Sequence, residues 1–180
     1  MTLPGIALTA GSGRFEAGNA DPVRVLVLGY GNPGRRDDGL GPAAAEAIEA
    51  MSLGGVRTSA NYQLMIEDAY DAAQSDLVIF IDAAKSGAGP YSVSPVRPAT
   101  NVSAFASHVV APELVLGLSG RVYGHVPRAS LIGIRGYAFG FDEGLSARAQ
   151  ANLSRALAHI RHVVIGPRET IEQAAGGALR

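Results

Sequence analysis

Apolar residues fall in short runs punctuated by glycine and proline, and the period of the runs changes along the chain. Val23–Leu28 is a short, β-branched run closed by Gly29, and it predicts a buried strand. Leu40, Ala44, Ala47, Ile48 and Met51 recur at three- and four-residue spacings, which predicts a helix over Pro42–Met51, with Gly41 as its cap and Gly54-Gly55 as its stop. Val56–Asn61 predicts a second strand, and Ile66, Ala69, Tyr70 and Ala73 mark a short helix. Leu77–Ile81 is apolar at every position and closes on Asp82, the signature of a central parallel strand covered on both faces. Tyr91–Val96 alternates and ends at a proline, which fits an edge or antiparallel strand. A loop without periodicity, Arg97–Ser107, leads to His108 and a helix around Pro112–Leu118. Ser130–Arg135 predicts another buried strand. Ser146 caps a long helix whose face is Ala149, Leu153, Ala156, Leu157 and Ile160.

Strands alternating with helices predict one α/β domain over 23–165, built as a three-layer α/β/α sandwich around a mostly parallel, twisted sheet. Residues 1–22 and 166–180 carry little pattern and are expected to be mobile tails.

Composition narrows the function classes. The chain has 180 residues, 47% hydrophobic and 17% charged, enough for one globular core. A formal net charge of -1 offers no electrostatic footprint for nucleic acid or anionic lipid. There is no cysteine, which removes disulfides, thiolate metal sites and cysteine nucleophiles and fits a reducing cytoplasm. No apolar run approaches the ~20 residues that span a bilayer.

The chemistry concentrates in residues 29–41, Gly-Tyr-Gly-Asn-Pro-Gly-Arg-Arg-Asp-Asp-Gly-Leu-Gly. This glycine-rich loop follows a buried strand and carries two adjacent carboxylates, Asp37 and Asp38. It lacks the Lys-Ser/Thr ending of a phosphate-binding P-loop, and no acidic residue after a second strand stands ready for a ribose. Ligands of open α/β sheets sit beyond the carboxyl ends of the strands. Asp38 and Asp82 both fall there if their strands are parallel, and His108 precedes a helix that could bring it to the same edge. Two carboxylates and an imidazole with open positions suit a borderline divalent ion such as nickel or zinc. Structural roles compete with each assignment: Asp82 as a cap, Asp37-Asp38 as complements to a helix dipole, His108 as an ordinary surface residue. His125, His159 and His162 read as loop or surface residues, and Arg35 and Arg36 as solvated loop charges.

Three landmarks in order carry a resemblance. The segment 25–41, the apolar strand Leu-Val-Ile-Phe-Ile-Asp-Ala-Ala (77–84) and Ser-His-Val-Val-Ala-Pro-Glu-Leu (107–114) resemble the hydrogenase maturation proteases, over about residues 23–165. The resemblance implies a phosphorylase/hydrolase-like fold and an endopeptidase that removes a C-terminal peptide from the large-subunit precursor of a nickel–iron hydrogenase. It implies Asp38, Asp82 and His108 as metal ligands, with Asp38 or Asp37 as general base. It implies nickel recognised in the substrate, with no stably bound metal needed in the resting enzyme, and a cytoplasmic monomer or weak oligomer. Departures exist. Asn61–Asp68 stands where many members carry Asp-Gly-Gly-Thr, and its Gln-Leu-x-x-Glu pattern resembles the branch serving bidirectional hydrogenases. Two other readings share parts of the pattern. One is a non-enzymatic metal-binding or chaperone-like module of hydrogenase assembly. The other is a peptidyl-tRNA hydrolase, which shares Gly-x-Gly-Asn-Pro-Gly but would require a histidine where this chain has Arg35-Arg36-Asp37-Asp38.

Overall fold

The computed structural model describes residues 23–100 and 110–166. Both expected tails and His108 lie outside the described residues, apart from Gly166, which follows the last helix. Among the described residues five strands form one sheet: β1 (Val25–Tyr30), β2 (Val56–Asn61), β3 (Leu77–Ala84), β4 (Tyr91–Pro95) and β5 (Arg128–Arg135), in the order β2-β1-β3-β5-β4. All neighbours are parallel except β4, which pairs antiparallel with β5 at the edge. Four helices join them: α1 (Leu40–Ala50), α2 (Asp68–Ala73), α3 (Pro112–Tyr123) and α4 (Ala147–Ile165).

The unbroken apolar runs follow from burial on both sides of the sheet. Val25, Val27, Ile79, Ile81, Ile132 and Ile134 point to one face, where they pack with Leu40, Ala44 and Ile48 of α1 and Ala149, Ala156 and Ile160 of α4. Leu26, Leu28, Val78, Phe80 and Ala129 alternate to the other face and meet Leu64, Ala69 and Ala72 around α2 with Val115 and Leu116 of α3. The result is the expected three-layer sandwich. Asp82, next to the buried Ile81, is the first half-exposed residue of β3.

The chain runs from β1 outward to β2, then back past β1 to β3. The strand order therefore reverses between β1 and β3, where ligands of such sheets collect. One detail of the entry to α1 differs from the sequence expectation. The helix begins at Leu40 with Gly39 as its cap, and Gly41 lies inside it. A 3-10 turn over Arg36–Gly39 starts the coil early. Gly41 is instead a contact residue, because a Cβ there would run into the carbonyls of Tyr30 and Ile81. Helix α1 is thus seated directly on the ends of the two strands that flank the crevice.

Candidate functional site

The turn that brings Asp38 to the crevice is fixed on both sides. Gly31 has φ +139, which a side chain would resist. A Cβ there would also strike the Asp38 carbonyl. The Asn32 N–H donates to Asp38 Oδ2 at 3.2 Å, while Asp38 Oδ1 makes no hydrogen bond among the described residues. Asp82 Oδ1 accepts the N–H of Ala83 at 2.7 Å. β1 and β3 are adjacent and parallel, with Gly29 opposite Ile81, so the residues that follow emerge side by side.

Electrostatics locate the two carboxylates relative to each other. Burial raises the Asp82 pKa, the Asp38 charge raises it further, and together they outweigh hydrogen bonds from Ala83 and Tyr30, leaving it at about 6. Tyr30 closes the group. Its hydroxyl lies beside Asp82, and its pKa is pushed above the ordinary phenol value by burial, then by the negative charges of Asp82 and Glu113. Glu113 sits in the first turn of α3, so that helix also starts at this edge. Sequence reading passed over Tyr30 and Glu113. Tyr30 ends an apolar run and looks like one more core residue, and only the β1–β3 register sets its hydroxyl beside a carboxylate.

Asp37 has a different environment from its neighbour. It is fully buried. Its carboxylate accepts the N–H groups of Tyr137 (2.7 Å), Ala138 (2.9 Å) and Ser146 (2.6 Å) and the Ser146 hydroxyl (2.8 Å). Burial alone would raise its pKa, but the hydrogen bonds from Ser146, Tyr137 and Ala138 win and hold it below the ordinary value. Its own N–H donates to the Ala138 carbonyl at 2.9 Å. Asp37 therefore fastens the β1–α1 turn to the β5–α4 loop. A carboxylate with both oxygens engaged and no access to solvent is a poor general base. Ser146 caps α4 as expected, accepting from Ala149 N, and is simultaneously a donor to Asp37.

Among the described residues, no three His, Cys, Asp or Glu side chains gather as a metal site. Asp38 and Asp82 are a pair, and the third expected ligand, His108, lies outside the described residues four positions before α3. Of the other histidines, His125 is exposed, with Nε2 3.1 Å from the Ser75 carbonyl. His159 is not a free surface residue. It is half-buried against the Tyr91 ring, and burial lowers its pKa.

No family model and no curated protein matches the sequence. Solved structures do match. The NiFe hydrogenase maturation protease HycI from Thermococcus kodakarensis superposes with a TM-score of 0.63 at 21% identity, covering 82% of this chain and 96% of that chain. The hydrogenase 2 maturation peptidase from a Thaumarchaeota archaeon gives 0.58 at 25% identity, over 78% and 97%. The hydrogenase maturating endopeptidase HybD from E. coli gives 0.55 at 25% identity, over 76% and 89%. The chain has the fold of the hydrogenase maturation proteases. In this chain the strand-order reversal, the Asp38–Asp82 pair and the seating of Gly41 describe one continuous piece of structure, running from the glycine-rich loop to the end of β3.

Proposed function

We propose that this protein is an endopeptidase that removes a C-terminal peptide from a nickel-loaded hydrogenase large-subunit precursor. The observation that carries the reading is the pair of half-buried carboxylates, Asp38 and Asp82, with the charge of Asp38 acting on Asp82 at the β1–β3 crevice of a maturation-protease fold. Nickel belongs to the substrate in this scheme. Asp38 and Asp82, completed by His108, take up open coordination positions on it and so align the scissile bond beside the ion. The ion polarises the peptide carbonyl or acidifies a water. Asp38 has an oxygen not engaged among the described residues and takes the proton of that water, whose hydroxide attacks the carbonyl carbon. The C–N bond breaks, and the departing amine takes the proton that Asp38 removed from the water. Asp37 is assigned to structure, not to proton transfer. Tyr30 orients Asp82 through its hydroxyl.

Among the described residues no helix is long and apolar enough to cross a membrane. A cytoplasmic workplace is part of this proposal and is consistent with the cysteine-free sequence. The test is incubation of the protein with candidate large-subunit precursors, nickel-loaded and nickel-free, followed by mass spectrometry of the intact precursor. Loss of a C-terminal peptide from the nickel-loaded form with wild type, and none with Asp82→Asn, is expected. Full processing by Asp82→Asn would overturn metal recognition by this pair.

A further inference from the structure

The loop after β5 carries three aromatic residues at alternate positions, Tyr137, Phe139 and Phe141, and each ring holds a cation. Arg148 lies 3.9 Å and Arg135 5.4 Å from the Tyr137 centroid. Lys85 lies 5.4 Å from Phe139, and Arg35 lies 5.2 Å from Phe141. Among the described residues the ion pairs are Arg24–Asp76, Arg36–Asp142 and Arg57–Asp71, so none of these four cations is neutralised by a carboxylate there. A ring face satisfies one side of a guanidinium or ammonium and leaves its N–H edge to meet a carboxylate; Arg135 already donates to the Gly87 carbonyl, so Lys85, Arg148 and the outer guanidinium nitrogens of Arg35 carry the strip.

The strip has features that packing alone does not explain. Arg148 stands in the first turn of α4, which holds no acidic residue, although the helix dipole favours an acid there. Phe141 is 89% exposed. The loop is nevertheless held in place. Asn152 Nδ2 donates to the Tyr137 hydroxyl at 3.0 Å, and Asp37 anchors Tyr137 and Ala138 through their N–H groups. The strip also borders the candidate site, since Arg35 precedes Asp38 by three residues and Lys85 follows Asp82 by three.

We infer that this aromatic-backed cationic strip is the docking surface for an acidic stretch of the precursor polypeptide, laid across the β5–α4 loop so that the chain beyond it enters the β1–β3 crevice. The inference rests on the endopeptidase reading. It adds a binding surface separate from the carboxylate pair. The charges at stake are local, because the whole chain is close to neutral, so attraction is directed to this edge of the sheet.

The test compares wild type, the charge-reversed double variant Lys85→Glu/Arg148→Glu and the control Arg155→Glu, further along α4. Binding and processing of nickel-loaded precursor are measured between low and high salt. Wild type and the control should show a KM that rises with salt. The double variant should show a KM raised roughly tenfold at low salt, with little salt dependence, an unchanged kcat and an unchanged thermal midpoint. Equal KM and equal salt dependence in the double variant, with wild type active, would overturn the strip and leave the peptidase intact. Salt-sensitive binding that the double variant loses, without cleavage by wild type, would keep the strip and overturn the peptidase. Failure of wild type to bind precursor overturns both. Equally tight capture of heparin or single-stranded RNA would show a general polyanion surface and overturn the assignment to an acidic polypeptide.

Discussion

Two neighbouring aspartates in this loop do opposite work. Asp37 is buried and accepts four hydrogen bonds, whereas Asp38 is half-buried and faces a second negative charge. Asp37→Ala strands three backbone N–H groups and should cost about 3 kcal/mol or more. Asp38→Asn keeps an acceptor for Asn32 N–H and relieves repulsion at Asp82. It should change stability by less than about 1 kcal/mol while abolishing processing. Thermal melts beside a processing assay check the pair, and equal destabilisation by both variants would contradict it. Because the Asp37 pKa is lowered on folding, its stabilisation is present above the ordinary aspartate value and is lost as pH falls through the folded value. Asp82 has the opposite sign. Its pKa is raised to about 6, so as pH climbs from the ordinary aspartate value toward 6 its ionisation lowers stability. The same ionisation creates the ligand, so processing should fall off below pH about 6. Tyr30→Phe removes a hydrogen bond that lowers the Asp82 pKa and should move this limb upward; an unmoved limb would exclude Asp82 as the titrating group. In sequence, Asp37 and Asp38 were interchangeable as bases. The groups that separate them, Tyr137, Ala138 and Ser146, lie about a hundred positions away, and no local spacing announces them.

At the scale of elements, periodicity was sufficient wherever one physical effect dominated. β2 has the expected bounds, and the continuous run of β3 did mark a central strand. The alternation ending at a proline did mark the antiparallel edge strand β4. The face expected for α4 contains its buried Ala149, Ala156 and Ile160. Boundaries moved where backbone contacts decide them. The β1 ladder continues through Gly29 to Tyr30, because the register with β2 extends to Asn61. α3 continues past Leu118 to Tyr123 and stops on Gly124 in the left-handed region. α1 starts early on a 3-10 turn, and Gly41 fills a space defined by two strand ends, which no helix propensity encodes. Gly41→Ala should therefore be far worse than a routine glycine-to-alanine change in a helix, which usually stabilises. The added methyl meets the carbonyls of Tyr30 and Ile81, so α1 must lift from the crevice and carry Asp38 with it. The expected outcome is a lower thermal midpoint, by about 2 kcal/mol or more, together with loss of processing. A variant with wild-type stability would show that α1 has slack at this contact.

At the scale of the whole molecule, the two proposals separate holding a partner from acting on its metal. One edge of the sheet carries a paired-carboxylate crevice, bounded by a loop whose aromatic rings face cations. The ligand set proposed for the crevice, Asp38, Asp82 and His108, contains only oxygen and nitrogen donors and no thiolate. Such a set completes the shell of an ion that another protein already holds more readily than it retains that ion alone. Built-in catalytic zinc, by contrast, commonly rests on histidines close in sequence, as in a helical His-x-x-x-His, and this sequence has no such spacing. The metal requirement should therefore travel with the substrate. Protein treated with a chelator and returned to chelator-free buffer should process nickel-loaded precursor at its original rate and leave nickel-free precursor uncut. The measurement is the time course of precursor mass in a two-by-two comparison of treated and untreated protein with loaded and unloaded precursor. If treated protein is inactive until zinc or nickel is restored, and cuts nickel-free precursor once restored, the ion belongs to the enzyme. The carboxylate pair would then be part of a resident metal centre and not a reader of the partner's nickel.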